Sequence, residues 1–464
     1  MSSENNFFKR LSFFKKKIAL ISEFNKKISY ATLIKKTKEF SCNLREEKSL
    51  VFLIGKNNFE TIIAYVSFIN KGYAVFFVDF RISEIFLKKL VNRYKPAYIF
   101  CENRDSLKSY NLFLKQNHYS LFDRKDKTKI NLNKKLMLLM PTSGSTGSSK
   151  LVRLSYENVE SNTRSIIKYL KIKKKDVTIT TLPISYVYGL SIINTHLKSG
   201  ATIVLTNKSV IENLFWDLFK KYKITSFGGV PFQYNIIEKI FKRGVPKSLK
   251  YSTQAGGKMN EMLIKNLIKI YSDSKKKFIQ MYGAAEATSR MSYLKWEDAA
   301  KKIGSIGKSI PGGKFFLKGK NGKIKKSFVN GELIFKGKNV SLGYATKMSD
   351  LSLSNKNNNI LETGDLAFKD KEGFYYIVGR KNRFTKIYGS RVSLSDLENI
   401  LSKIGIDVVM KAYKENQILS LFKNKKDIKR GIKYLSKLTL INPKVFISKI
   451  ISKKNLTHNL KYKI

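Results

Sequence analysis

Pro141-Thr142-Ser143-Gly144-Ser145-Thr146-Gly147-Ser148-Ser149-Lys150 follows an apolar run, Leu136 to Met140, that reads as a strand. The glycines let backbone N–H groups turn toward one anion, while the hydroxyls and Lys150 supply donors to phosphate oxygens. A loop that leaves a strand end lies where ligands bind in open α/β sheets. Gly144 and Gly147 are three apart and Lys150 comes three later, so the G-x-x-x-x-G-K-[ST] spacing is not met and a Walker-type NTPase is disfavoured. A flexible Ser/Gly linker is the plain alternative, and it explains neither Lys150 nor the abrupt exit from a strand.

Upstream of the loop, short apolar runs alternate with helix-period stretches. Leu50 to Ile54 reads as a buried strand, Glu60 to Asn70 as a helix, Ala74 to Val78 as a strand, Ile82 to Tyr94 as a helix and Ala97 to Cys101 as a strand. Downstream, strands are expected at Val177 to Thr181, Ala201 to Leu205 and Ile224 to Phe227, with helices at Gly189 to Lys198 and Val210 to Lys221. This is the βαβ rhythm of sheets with helices on both faces. From about Gly304 short strands and Gly turns take over, and past Arg380 a small α+β pattern resumes. The expected fold is α/β: a large amino-terminal domain of layered α/β sheets with a β-rich subdomain, then a small mobile α+β carboxy-terminal domain. Expected boundaries are a basic aromatic lead-in over 1–16, the large domain over 17–379 with its β-rich part over about 304–379, and the small lid domain over 380–464.

The chain has 464 residues, with 90 Lys plus Arg against 34 Asp plus Glu, a formal charge of +56. Only 14 of the basic residues are Arg and 76 are Lys, spread through every segment. Arg is the residue expected where bases or phosphates are read bidentately. The excess is thus read as a compositional bias that attracts polyanions at low salt, without specific nucleic-acid recognition. Two cysteines, Cys42 and Cys101, and three histidines, His118, His196 and His458, provide no disulfide framework and no metal-ligand spacing. A reducing cytoplasm fits. No run reaches the ~20 apolar residues of a membrane span, and Phe7, Phe8, Phe13 and Phe14 are interleaved with Lys and Arg, unlike a signal peptide. The lead-in reads as a solvated segment, with peripheral membrane contact as the other reading.

Further landmarks follow the loop in order: Tyr282-Gly283-Ala284-Ala285-Glu286, Gly331-Glu332-Leu333, Thr363-Gly364-Asp365, Gly379-Arg380, Lys386-Ile387-Tyr388-Gly389 and Asn459-Leu460-Lys461. Tyr282 offers an aromatic face to a purine and Glu286 a carboxylate to Mg²⁺, although in isolation core packing for Tyr282 and a surface charge for Glu286 are the commoner fates. Asp365 reads as a carboxylate presented by a turn at a strand edge, or simply as a turn Asp. Taken together, these segments resemble the adenylate-forming superfamily, the AMP-dependent synthetases and ligases, and within it the acyl-CoA synthetases. The likeness runs over most of the chain, with residues 1–16 outside it.

The resemblance implies residue roles. Thr142, Ser143, Gly144, Ser145, Thr146, Gly147 and Lys150 would hold phosphates, with Gly256 and Tyr282 at the nucleotide, Asp365 on both ribose hydroxyls and Arg380 as a second ribose contact. Glu286 would bind the metal, Asn382 would act as hinge, and Lys461 would be the catalytic amine orienting carboxylate and α-phosphate, with Lys463 as fallback. Tyr186, Gly189 and Gly257 would wall the acyl pocket. Gly189 to Asn194 holds no acid, which favours an acyl or other uncharged-tail carboxylate over an α-amino acid. Two positions depart from the family pattern: Ala285 stands where Thr is usual and Leu460 where Gly is usual.

The expected activity is ATP- and Mg²⁺-dependent conversion of a carboxylic acid to an acyl-adenylate with release of pyrophosphate, then acyl transfer to a thiol, coenzyme A. The alternatives are loading of a separate acyl or peptidyl carrier protein, and a catalytically silent homologue that binds nucleotide or polyanion.

Overall fold

The computed structural model describes residues 7–42, 44–102, 107–126, 128–141, 150–381, 384–387, 390–414, 416–439 and 441–450. Tyr98–Glu102, Leu50–Ile54, Ala74–Val78 and Leu136–Pro141 lie side by side, in parallel, at the heart of an eight-stranded sheet. Leu50–Ile54 and Ala74–Val78 are buried along their whole length. Continuous apolar runs of this kind belong to parallel strands covered on both faces. The helix Phe59–Asn70 provides one cover. Its start is fixed by Asn58, whose side chain accepts from the Thr61 amide at 3.0 Å, and Thr61 to Ile69 are buried without a break.

A second, nine-stranded sheet has Lys277–Tyr282, Tyr251–Gln254, Ser226–Gly229, Val177–Ile179, Thr202–Leu205 and Ile18–Ser22 in parallel order. One apolar cluster joins Leu53, Phe77 and Met140 of the first sheet to Leu20 and Ile203 of the second through Ile62, Tyr65 and Val66 of the helix between them. The β-rich part expected after Gly304 is a five-stranded antiparallel sheet of Gly322–Ile324, Gly313–Gly319, Gly331–Gly337, Ile360–Lys369 and Tyr375–Arg380. Beyond it, the helices Leu394–Lys403 and Lys426–Thr439 pack with the three strands Val408–Ala412, Ile418–Phe422 and Phe446–Ile450 around a separate small core. This is the expected small α+β lobe. Among the described residues, no helix is long and apolar enough to cross a membrane.

One expectation is corrected. The lead-in is not solvated throughout: Phe7, Phe8 and Leu11 are buried in the inter-sheet core, with the Phe8 ring edge-on to Tyr65 at 5.5 Å, while Phe13 stays 77% exposed. The 3₁₀ turn Lys9–Phe14 turns Leu11 inward and Lys9 and Arg10 outward, so basic neighbours concealed a packing segment. The phosphate-loop segment does follow a strand, as expected, and another strand follows it. Leu136–Pro141 pairs antiparallel with Leu151–Ser155, Pro141 facing Leu151, so residues 142–149 connect adjacent antiparallel strands. The helix Tyr156–Leu170 follows only after that, its amino end closed by a reciprocal Ser155–Asn158 capping box.

Candidate active site

Asp365 lies inside the ten-residue strand Ile360–Lys369, not at its edge, and is 5% exposed. Opposite it, pairing runs from Glu332↔Leu366 to Ile334↔Glu362, so the register shifts across Thr363-Gly364-Asp365. Gly364 takes a φ of +71° there, a conformation natural to glycine. Thr363 Oγ1 donates to Leu333 O at 2.7 Å and accepts from the Asp365 amide at 3.1 Å. The turn-forming residues thus make a bulge within a strand, a device that re-aims a side chain.

The re-aimed carboxylate has two partners. Arg380, facing Asp365 across the strand pair, places Nε 2.7 Å from Oδ1, and the Tyr282 hydroxyl donates to Oδ2. Burial raises the Asp365 pKa, against the opposing pull of the Arg380 charge. Burial, reinforced by the Asp365 charge, raises the Tyr282 hydroxyl well above its ordinary range, so it stays protonated and donates. Arg380 itself is 63% exposed at its side chain and keeps donors directed toward solvent. Tyr282 is only partly buried, packed against the β-rich core beside Phe315. It therefore shares features of both readings made from sequence.

A second group stands close by. Glu286, on the short turn Ala285–Ala287, accepts at Oε1 from the Tyr344 hydroxyl at 2.9 Å. Lys150 places its ammonium 3.5 Å from the centroid of the Tyr344 ring, a cation–π contact. Tyr344 is held by Gly343–Ala345, which pairs antiparallel with Leu151–Ser155 immediately after Lys150. The Glu286 charge acts on Asp365, and the Arg380 charge acts on Tyr344. The two groups are therefore near enough for their charges to act on one another. Nothing in the sequence singled out Tyr344; its place depends on a strand pairing between segments nearly two hundred residues apart, which periodicity does not reveal.

Gly256 has a φ of +86°, and a Cβ there would meet Tyr186 Oη at 2.6 Å. The two residues are thus neighbours, with Gly257 exposed beside them. Gly189 serves another purpose, since a Cβ on it would lie 2.3 Å from Pro183 O. It lets the helix Val187–Lys198 pack onto the preceding loop. Ala285 is buried against the inter-sheet core. Lys381, not foreseen, donates its amide to Gly364 O at 2.7 Å and its ammonium to the buried Glu332 carboxylate at 2.7 Å. The chain is therefore anchored to the β-rich sheet up to the residue before Asn382. Thr142, Ser143, Gly144, Ser145, Thr146, Gly147, Asn382 and Lys461 lie outside the described residues.

Comparison with known proteins places this geometry. The 2-succinylbenzoate–CoA ligase of Oceanobacillus iheyensis is 28% identical over 274 residues, 58% of this chain and 54% of that one. The indoleacetate–CoA ligase of Aromatoleum aromaticum is 28% identical over 270 residues, 58% and 52% of the two chains. The matched stretches span about half the length of these curated relatives. Among solved structures, O-succinylbenzoate coenzyme A synthetase from Bacillus subtilis in complex with ATP and magnesium ion superposes with a TM-score of 0.75 at 18% identity, covering 98% of this chain and 99% of that one. ATP-bound MatB from Rhodopseudomonas palustris gives 0.77 at 19% identity, covering 99% and 100%. At such identities the superpositions establish the fold of the whole chain, two lobes included. The AMP-binding enzyme family model matches residues 7–345, beginning at the buried Phe7 and running through Tyr344, and the chain belongs to that family.

Proposed function

We propose that the chain joins a carboxylic acid to AMP at the expense of ATP, releasing pyrophosphate, and then passes the acyl group to the thiol of coenzyme A. The observation that carries this reading is the pair of interacting groups in which Tyr282 and Arg380 hold the buried Asp365 carboxylate and Tyr344 holds Glu286 with Lys150 over its ring. A buried carboxylate suits vicinal hydroxyls, which donate to it in pairs. The aromatic face of Tyr282 supports a purine beside it. Lys150 and the amides of the 142–149 loop receive phosphate oxygens.

The donor set fits Mg²⁺. Among the described residues no group of three or more acidic, His or Cys side chains gathers, and Mg²⁺ is commonly held by one or two carboxylates together with substrate phosphates. Glu286 is such a carboxylate, its orientation fixed by Tyr344. When bound, the metal offsets charge on the phosphate oxygens. The chain's own residues position the reactants: a carboxylate oxygen attacks the α-phosphorus in line, the bond to the pyrophosphate oxygen breaks, and Lys461 orients both partners. Asn382 is the proposed hinge, following Lys381, which is anchored at Glu332 and Gly364. The small lobe over 380–464 swings about it to admit the thiol. The proposed site of action is the cytoplasm, in keeping with Cys42 at the surface and Cys101 in the core, which form no disulfide.

The test is pyrophosphate release with ATP, Mg²⁺ and a panel of fatty, hydroxy, aryl and amino acids. Release is expected with one acid class and is expected to fall at least ~100-fold in Lys461→Ala. A folded, ATP-binding protein that releases none with any acid would point instead to a silent homologue, with Ala285 and Leu460 as its marks.

A further inference from the structure

Arg290 lies four residues beyond Glu286 and is 3% exposed. Its Nε donates to Met281 Sδ at 3.3 Å, its Nη1 to Ser289 O at 3.2 Å and Ser289 Oγ at 3.0 Å, and its Nη2 to Ser191 Oγ at 3.4 Å. The Tyr188 ring centroid is 3.8 Å from the guanidinium carbon. Among the described residues no carboxylate pairs with it. A guanidinium removed from water ordinarily needs a paired anion. Here Nη1 is satisfied by neutral oxygens of Ser289, while Nε has a thioether, which is a weak acceptor, and Nη2 a hydroxyl near the limit of hydrogen-bond distance. The second N–H of Nη2 has no acceptor among the described residues.

Arg290 lines a cavity of about 20 Å³ together with Tyr188, Ser191, His196, Tyr251 and Met281. The buried Tyr251 hydroxyl has Ser226 beside it but makes no hydrogen bond of ordinary geometry. His196 adds no charge: burial pushes its pKa down to about 4, and Nδ1–H donates to Ile192 O at 2.8 Å. Arg290 is therefore the only charge in the lining. Gly228 and Thr253 also line the cavity. They stand on the strands Ser226–Gly229 and Tyr251–Gln254, whose carboxyl ends lead toward Gly256, while Met281 immediately precedes Tyr282. The lining thus comes from the strands that lead to Gly256 and Tyr282.

We infer that this cavity seats a second anionic group of the acid to be activated, and that the substrate is a short dicarboxylate whose distal carboxylate takes Arg290 Nη2 and the Tyr251 hydroxyl. About 20 Å³ accommodates one or two water-sized groups. That is the scale of a carboxylate's two oxygens and smaller than a phosphate. A methyl group in the same place would leave the guanidinium unpaired, the circumstance in which polar pockets reject analogues most strongly. This inference rests on the adenylation reading and departs from the uncharged-tail expectation, because the absence of an acid in residues 189–194 disfavours an ammonium group and does not register a distant Arg.

The experiment compares kcat/KM for pyrophosphate release by the full chain with malonate, succinate and glutarate against the monocarboxylate of equal carbon number. One dicarboxylate is expected to exceed its monocarboxylate by at least ~100-fold, and Arg290→Met to abolish that ratio while Tyr251→Phe lowers it by about 10-fold. Equal rates, or a preference for the monocarboxylate, would overturn the dicarboxylate inference and leave adenylation standing. If no acid releases pyrophosphate, adenylation fails, and calorimetric titration with the same three diacids decides the site. Binding to the wild type that is lost in Arg290→Met supports the cavity as a carboxylate site, and no binding to the wild type rejects it.

Discussion

Asp365 is a buried acid whose ionisation burial opposes. Its folded pKa is raised, so the protonated form is favoured in the folded state, and the associated stability is lost as pH rises through the raised value. Arg380 is exposed and is not stranded when the carboxylate goes. Asp365→Asn is therefore expected to melt at or above the wild-type temperature at neutral pH while binding ATP about 10- to 100-fold more weakly, the worth of a charged hydrogen-bond pair; thermal melts and ATP titration check both. A lower melting point would mean that the ion pair outweighs its desolvation. His196 has the opposite sign. Its folded pKa lies at about 4, so stability is present near neutrality and is lost as pH falls from about 6.5 to about 4, by about 3 kcal/mol. His196→Asn should flatten that part of an acid-unfolding curve. Asp365 was legible as a functional residue because Thr-Gly-Asp is a recognisable signature. Its bulge was not legible, because a turn signal inside a strand reads as the strand's end.

At the scale of elements, the loop from Gly283 to Arg290 carries both Glu286 and Arg290, and its path is tightly constrained. Thr288 and Ser289 take positive φ values of 56° and 100°, and a Cβ on Gly283 would lie 1.8 Å from Ser289 O. Backbone cannot move aside as a flexible side chain would, so Gly283→Ala is expected to lower the melting temperature by several degrees and to abolish pyrophosphate release; a variant with wild-type melting would show that the loop opens without strain. The amino-terminal 3₁₀ turn supplies a second comparison. Phe8→Ala should cost roughly 3–5 kcal/mol by denaturant unfolding, as for a buried aromatic, whereas Phe13→Ala should change little, since Phe13 is 77% exposed. Strands such as Leu50–Ile54 and helices such as Phe59–Asn70 were legible because continuous apolar runs and helical periodicity identify them locally. The amino-terminal turn was missed because its burial depends on Tyr65 in another element.

At the scale of the whole molecule the dominant feature is charge. Even if each of the 34 acidic residues neutralised one base, 90 − 34 = 56 cations would remain. Nor do the acids spread one to a base: Lys302 alone takes both Asp370 and Glu372, while Glu160 is shared by Arg164 and Lys198. The folded chain therefore repels itself, and the repulsion weakens as the Debye length shrinks from about 30 Å at 0.01 M salt to about 8 Å at 0.15 M. Raising salt over that range should raise the melting temperature by a few degrees, in contrast to a protein held by surface ion pairs, which would lose stability. The same lysines should retain the chain on DNA at low salt and release it near 0.2 M, with a steep logarithmic dependence on salt and no preference among sequences. Retention that survives 0.2 M salt or discriminates between sequences would require a built recognition face, for which 76 dispersed lysines against 14 arginines offer little basis. Because ATP and a dicarboxylate are themselves polyanions, their apparent affinities should also weaken with salt. Arg290, shielded from solvent at 3% exposure, should keep its preference for the second carboxylate at high salt, which separates a buried site from the general field that surrounds it.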